Sequence, residues 1–575
     1  MTPSAARLSA PPKVRPELDA VVLRVADAAE EFARLPLPER IGLAEKILAG
    51  CVATAEGQVR AACKAKGLDF DSFASAEEWL GGPYLTIRNV RLLIETMGRL
   101  ESGQPPIDPG RIRTRGGRTI VDVFPTGAVD RITYAGFGGE VWMLPGVKPK
   151  DVIERAASHY REPLDRRRGR VALVLGAGNV ASIGAMDVLH KLFVEGHVCV
   201  LKMNAVNAYL GPFLEKAFAA AVERGYLAVV QGGADVGAYL VEHPQIDEIH
   251  ITGSDRTHDA IVWGPPGPES AARRKRRSPL LKKPISSELG NISPVLLVPG
   301  PYTDDEIAFQ AQSIAAGILN NASFNCNAVK LLVLPKGCES SGKLLDAVQV
   351  LLERAPLRKA YYPGAEQRWR ELVDAHSDAV RIGHPKRGEL PWAIIRDLDP
   401  RKRDEKCFRM EPFCGVVSET RLGSADPVEF LEQAVRFVNE RVWGTLNATL
   451  IVHPKTAAGR RTGAAVEKAI ADLRYGAVSV NHWAALVYGF VSTPWGGHPS
   501  STLHDIQSGR GFVHNTYMLE GIEKAVVRGP LTVRPKPVWF AGHRTAHEVA
   551  RKMIAMMAEP SWTKLPGVVL AALRG

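Results

Sequence analysis

Cysteine is scarce: seven in 575 residues (51, 63, 199, 326, 338, 407 and 414), with no CxxC and no Cys/His pair at zinc-ligand spacing. That argues against a disulfide framework and against structural zinc, and it suits a reducing compartment. Long apolar runs are also missing. Nothing approaches the roughly 18–20 residues a membrane span needs, and the run Val568–Leu573 near the end is far too short. The N-terminus, MTPSAARLSAPPKVRPELD, has no apolar core of a secretory signal, so no membrane association and a cytoplasmic location are expected. The net charge of +11 is concentrated in Ala272–Lys283, ARRKRRSPLLKK, which holds seven Lys/Arg and no acid. The block has no interleaved aromatics and no nucleic-acid module around it, so nucleic acid is not an expected partner. A solvated, poorly ordered insertion is the expectation, with polyanion binding as the alternative.

What is present is an ordinary globular composition, 45% hydrophobic and 23% charged, in a chain long enough for two to four domains at about 100–200 residues each. Residues 1–17 read as a disordered tail. Leu18–Leu68 and Glu77–Leu100 carry helix-spaced apolar residues, broken near Pro36–Pro38. In Arg111–Leu144, TIVDVF and RITYAGF alternate apolar and polar residues around a turn at Pro125–Gly127, which predicts an extended hairpin. From Arg170 short apolar strands (171–175, 198–202, 228–230, 246–252) alternate with helices. A second such series follows residue 326, with strands at LLVLP, 413–418, 446–452 and 476–481. Alternation of this kind implies βαβ units and doubly wound parallel sheets. The architecture predicted is two doubly wound α/β domains with a β-hairpin arm.

Cys326 lies in AAGILNNASFNCNAVKLLV, on a polar loop between a helix-like run and a strand-like run. A free cysteine is by itself more often a small buried hydrophobe than a nucleophile, but a thiol on a loop held between rigid elements sits where function concentrates. After the first strand of the α/β series, Gly176-Ala-Gly178-Asn-Val-Ala181 fits GxGxxA. The fingerprint then requires an acid about 20 residues on, where the second strand ends instead in Lys202-Met203-Asn204. The dinucleotide fingerprint is incomplete, and some other feature uses this turn.

Taken in order, LKMN (201–204), GGADVG (232–237), HITGSD (250–255), SSELGN (286–291), NCNA (325–328), EPFCGVV (411–417) and STPWGG (492–497) resemble the aldehyde dehydrogenase superfamily across roughly Leu18 to Thr532. Asn179 stands where that family carries an Asn after its first strand. The chain departs in the AGNVASIG turn, in Ala205 where NAD-preferring members often have Glu, in the lengthened segment holding the basic block, and in a tail from about Lys536. The resemblance implies Cys326 as nucleophile, Glu288 as general base and Asn179 as a donor to the developing alkoxide. For the cofactor, NAD or NADP, it implies Lys202, Asn204, Gly237, Gly253, Ser254, Glu411 and Phe413, with no metal.

The domains expected are a tail at 1–17, a cofactor-binding domain at 18–110 and 145–310 (with the insertion 272–283), a catalytic domain at 311–505, an oligomerisation arm at 111–144 and 506–535, and a C-terminal extension at 536–575. By resemblance the arms imply a homodimer or homotetramer. The function expected is oxidation of an aldehyde to a carboxylate through a Cys thiohemiacetal and thioester. The alternatives are a CoA-acylating relative, or acyl-CoA reductase, and a non-catalytic scaffold that binds a polyanion through the basic insertion. HWAALVY (482–488) reads either as an apolar pocket wall or as plain core.

Overall fold

A computed structural model describes residues 15–559 and 561–575. Two sheets organise it, and both are mainly parallel. The smaller has six strands in the spatial order 509–510, 285–289, 248–253, 171–175, 198–202 and 227–230. All its pairings are parallel except the first. The order runs outward both ways from the pair 171–175/248–253, so the chain reverses its winding direction there. At such a switch point the loops diverge and leave a crevice beyond the strand C-termini. The strand Val171–Leu175 is apolar along its whole length because helices cover both faces of a parallel sheet. The helix Pro16–Ala33 packs on strands 171–175, 198–202 and 227–230.

The larger sheet has eleven strands, ordered 112–115, 118–124, 138–143, 522–528, 477–480, 447–451, 293–297, 329–335, 416–422, 392–398 and 380–382. The central strands are parallel, and the flanking ones antiparallel.

Several expectations are corrected here. Ser293–Leu297, fully buried, is a central strand of the larger sheet, so the chain enters that sheet just past Glu288, ahead of 311. SPVLL is one short apolar run without alternation, which periodicity cannot assign. Arg131–Phe137 is not a strand: Ala128–Thr133 is helical, and the returning strand is Gly138–Met143. The supposed arm joins this chain's own catalytic sheet, with 522–528 pairing parallel to 477–480 and antiparallel to 138–143. That pairing covers one side of 138–143, while 112–115 remains the outer edge of the sheet. The expected tail at 1–17 lies outside the described residues up to 14, and Pro16 and Glu17 already belong to the first helix. Within the basic block, Pro268–Lys275 is a helix whose Arg273 donates to the Trp263 carbonyl at 3.1 Å. Among the described residues no helix is long and apolar enough to cross a membrane.

Candidate active site

Glu288 and Cys326 come together because the chain changes sheets between them. Glu288 is near the end of strand Ile285–Leu289 in the small sheet, and the next residues, Gly290–Ile292, cross to Ser293–Leu297 in the large one. The neighbouring strand there, Val329–Pro335, is entered from the Cys326 loop. That loop follows the helix Asp304–Leu319, which a reciprocal cap starts sharply. Thr303 Oγ1 accepts from the Glu306 N–H at 3.3 Å, and Glu306 accepts from the Thr303 N–H at 2.8 Å. The Cys326 carbonyl is pinned by Ser293 Oγ at 3.0 Å and Asn447 Nδ2 at 3.2 Å, and the Asn327 carbonyl accepts from Trp483 Nε1 at 2.6 Å.

The Glu288 carboxyl is buried and the Cys326 thiol lies against it. Burial pushes Glu288 up to about 8, with the Asp187 and Glu411 charges adding to it. Burial, and then the Glu288 and Glu411 charges, hold the thiol well above its ordinary value. Cys326 is therefore a protonated thiol beside a carboxyl poised near neutrality, and a proton moving from sulfur to Glu288 is the step this pair allows.

Asn179 follows strand Val171–Leu175 and is buried, and its side-chain N–H₂ donates to the Phe324 carbonyl at 3.0 Å. Its backbone carbonyl accepts three hydrogen bonds: Lys66 Nζ at 3.0 Å, Asn321 Nδ2 at 2.9 Å and the Tyr361 hydroxyl at 3.2 Å. Lys66 Nζ also reaches Glu78 at 2.7 Å and Asn321 Oδ1 at 3.0 Å. Asn321, Ala322 and Ser323 all have left-handed backbones (φ +53°, +53° and +68°). Conformations of this kind cost on the order of 1–3 kcal/mol each and persist where surroundings enforce them. The Asn321 side chain, hydrogen-bonded to Lys66, Tyr361, Asn179, Phe324 and Asn325, holds the loop in this conformation. Lys66, Asn321 and Tyr361 were not foreseen; they lie 113, 142 and 182 residues from Asn179 in sequence, and nothing local marks them.

The crevice at the switch point holds the expected cofactor residues. Ser254 caps the helix Asp255–Trp263, its Oγ accepting from the Thr257 N–H at 3.2 Å. Lys202 ends its strand half-buried, with burial lowering its pKa and the Asp235 charge opposing that. Gly237 lies in the helix Ala234–Glu242 with open space where a Cβ would stand, and Gly253 closes strand Glu248–Gly253 exposed. Across the crevice Glu411 accepts from the Asn291 N–H at 3.1 Å, and the Asp255 charge reaches it. Burial lifts Glu411 to about 7. Phe413 meets Tyr362 edge-on and Phe324 at a tilt, at 4.8 and 5.9 Å between ring centres. Asn204 has a local duty, since its Oδ1 accepts from the Val206 N–H at 3.0 Å. A Cβ on Gly178 would stand 2.6 Å from that oxygen. The glycine of the incomplete fingerprint thus serves the close approach of the 204–206 loop.

The aldehyde dehydrogenase family model matches residues 169–365, which span the Asn179 turn, Glu288 and Cys326. Over that stretch the chain is similar to the aldehyde dehydrogenase family.

Among similar proteins, geranial dehydrogenase of Castellaniella defragrans is 26% identical over 246 residues, covering 40% of this chain and 48% of that protein. 4-Trimethylaminobutyraldehyde dehydrogenase A of Danio rerio is 22% identical over 361 residues, 59% of this chain and 63% of that one. The chain thus spans about half the length of the curated relatives it matches. The fold extends further. The NADP-dependent glyceraldehyde-3-phosphate dehydrogenase of Bacillus halodurans, solved with NADP, superposes with a TM-score of 0.59 at 17% identity, covering 89% of this chain and 91% of that one. A 1-pyrroline-5-carboxylate dehydrogenase of Thermus thermophilus gives 0.58 at 17%, covering 90% and 86%.

A cavity of about 500 Å³ is lined by Cys326 and Asn179. Trp483, Leu486 and Tyr488 line it, so HWAALVY is a pocket wall. Tyr134, Phe490, Trp539 and Phe540 line it too. Tyr134 comes from the expected arm and Trp539 and Phe540 from the terminal extension, segments with no local mark of a pocket, while Phe490 lies two residues past the HWAALVY run.

Proposed function

We propose that this chain is an NAD(P)-dependent aldehyde dehydrogenase that forms a carboxylate. One observation carries the reading: a protonated Cys326 thiol in contact with a Glu288 carboxyl lifted to about 8, on the floor of a cavity beside Asn179. Cys326 attacks the aldehyde carbon, forming a C–S bond, while its proton passes to Glu288. The alkoxide of the thiohemiacetal is held by the Asn179 N–H₂ and the backbone N–H of Cys326. One such donor typically contributes about 10²–10³ in rate. An aldehyde carbon has no other leaving group, so hydride must depart, and a bound nicotinamide supplies the acceptor. The product is a thioester on Cys326. Glu288 first releases that proton to solvent, then takes a proton from water as it attacks and returns it to the departing sulfur as the C–S bond breaks, so that the carboxylic acid leaves with the thiol restored.

The residues of the crevice fit a nucleotide cofactor. The N–H groups of the helix opened by Ser254 face its mouth, and such groups favour phosphate. The half-buried Lys202 ammonium, with Asp235 the charge acting on it, suits ribose hydroxyls or a 2′-phosphate. Gly237 and Gly253 leave room for close approach, Glu411 would accept ribose hydroxyls, Phe413 would pack beside them, and the free Asn204 N–H₂ would add a donor. Both NAD and NADP are compatible, since Ala205 supplies no charge against a 2′-phosphate. The relatives reported include an NADP complex, which supports this class of cofactor.

The test is purified protein with NAD⁺ or NADP⁺ and a panel of aldehydes, read as reduced-cofactor absorbance, with Cys326→Ala as control. Turnover by wild type alone supports the reading. Silence with aldehydes, followed by activity with acyl-CoA and reduced cofactor, would replace it with the CoA-linked reaction.

A further inference from the structure

We infer that the substrate is an uncharged, carbon-rich aldehyde, and that Trp539 and Phe540 of the C-terminal extension are specificity-determining residues that form the wall its chain packs against. This rests on the aldehyde dehydrogenase reading above and deepens it.

The extension is built into the cavity. Its helices Ala546–Ala558 and Leu565–Leu573 pack on each other, with Val549, Ala550, Met553, Ile554 and Ala571 buried. Arg91 ties the first helix down by donating to the Met557 and Ala558 carbonyls at 2.5 and 2.8 Å. Arg551 lies over the rings of Phe70 and Trp79, at 4.7 and 5.2 Å. Thr545 Oγ1 donates to the Ala571 carbonyl at 2.7 Å. With its helices anchored, the segment 538–543 runs along the cavity. Phe540 is buried and packs at a tilt against Phe309, 5.1 Å between ring centres, which holds the aromatic wall in place.

Charge balance decides the class of substrate. The charged side chains deep in the wall are already paired: Lys66 with Glu78 at 2.7 Å, and Arg358 with Glu77 at 3.2 Å. The unpaired buried polar atoms of the wall include neutral groups, the indole N–H of Trp392 and Trp539 and the imidazole of His543. Arg354 is exposed. A carboxylate, phosphate or quaternary ammonium carried on the aldehyde would therefore lose water among rings with no opposite charge to receive it, which is strongly unfavourable. A hydrocarbon chain gains there what apolar burial supplies, roughly fourfold in kcat/KM for each methylene enclosed.

The experiment uses the full chain with whichever of NAD⁺ and NADP⁺ it accepts. We would measure kcat/KM for straight-chain aldehydes from acetaldehyde to decanal, for benzaldehyde, and for aldehydes of matched length bearing a terminal carboxylate or trimethylammonium. The expected result is a rise of roughly fourfold per methylene that levels off when the cavity is filled, with the charged analogues at least about 100-fold poorer. Trp539→Ala and Phe540→Ala should each lower the octanal-to-acetaldehyde ratio about tenfold or more, and Trp539→Leu should restore part of it. In parallel, Cys326→Ala is titrated with n-alkanamides from acetamide to octanamide, read by tryptophan fluorescence. The same chain-length slope in affinity is expected there without turnover. A flat slope in both measurements, or preference for a charged analogue, overturns the inference while leaving aldehyde oxidation standing. Absence of turnover with every aldehyde, alongside a clear slope in amide binding, sinks the oxidation reading and upholds the apolar wall.

Discussion

Replacing Glu288 by Gln keeps the shape of the buried side chain and removes its ability to carry a proton away. In the wild type, burial places this carboxyl near 8 rather than 4.5, in contact with a thiol that burial has also raised. A base titrating near 8 is about 1% ionised at pH 6 and half ionised at pH 8, so kcat/KM should climb roughly fiftyfold between them. The limb belongs to the Cys326–Glu288 pair as a unit. In Glu288→Gln that limb should vanish. Thioester formation should slow in the variant, since the Cys326 proton loses its acceptor, and reduced cofactor should stop at about one per chain, since no base activates water. Stopped-flow absorbance at several pH values measures both effects. A wild-type profile level from pH 5 to 8, or a Gln variant with undiminished steady-state turnover, would refute the reasoning.

The same carboxyl links to stability. It keeps its proton up to about pH 8 when folded but loses it near 4.5 when unfolded, so the folded chain carries an extra proton between those values. Wild type should lose stability relative to Glu288→Gln as pH rises from 4.5 to 8, with the gap constant above; melting at pH 5, 7 and 9 checks this. Asn179→Ala should lower kcat about 10²–10³-fold with little change in fold, read by kinetics beside circular dichroism. Lys66→Met leaves Glu78 buried without its cation and should destabilise by about 3–5 kcal/mol, whereas the double change Lys66→Met/Glu78→Leu should recover much of that. Alkylation followed by peptide mass spectrometry should label Cys326 and Cys338 and spare the five buried thiols, with Cys326 labelling faster as pH rises.

Much of the fold was legible because helix and strand periods are local properties. VALVL and VCVLK read as buried parallel strands, and they are. The reading failed where a segment's fate is set by its partner. RITYAGF alternates like a strand yet forms a helix through Thr133, while 138–143 pairs with 522–528, almost four hundred residues away. SPVLL could not be assigned until its neighbours at 329–335 and 447–451 were known.

The sequence alone determined which groups could do chemistry: a thiol, a carboxyl and an amide, each in its own short motif and in a fixed order. It determined nothing about their ionisation. That Glu288 is lifted toward neutrality, that Cys326 keeps its proton, and that three residues remote from Asn179 hold its carbonyl are products of burial and of contacts across more than a hundred residues. The C-terminal extension makes the same point. Its sequence shows an apolar helix with methionines, and only packing turns the residues before that helix into a wall of the Cys326 cavity. Desolvation and long-range contact depend on where the whole chain goes, and no local stretch encodes them.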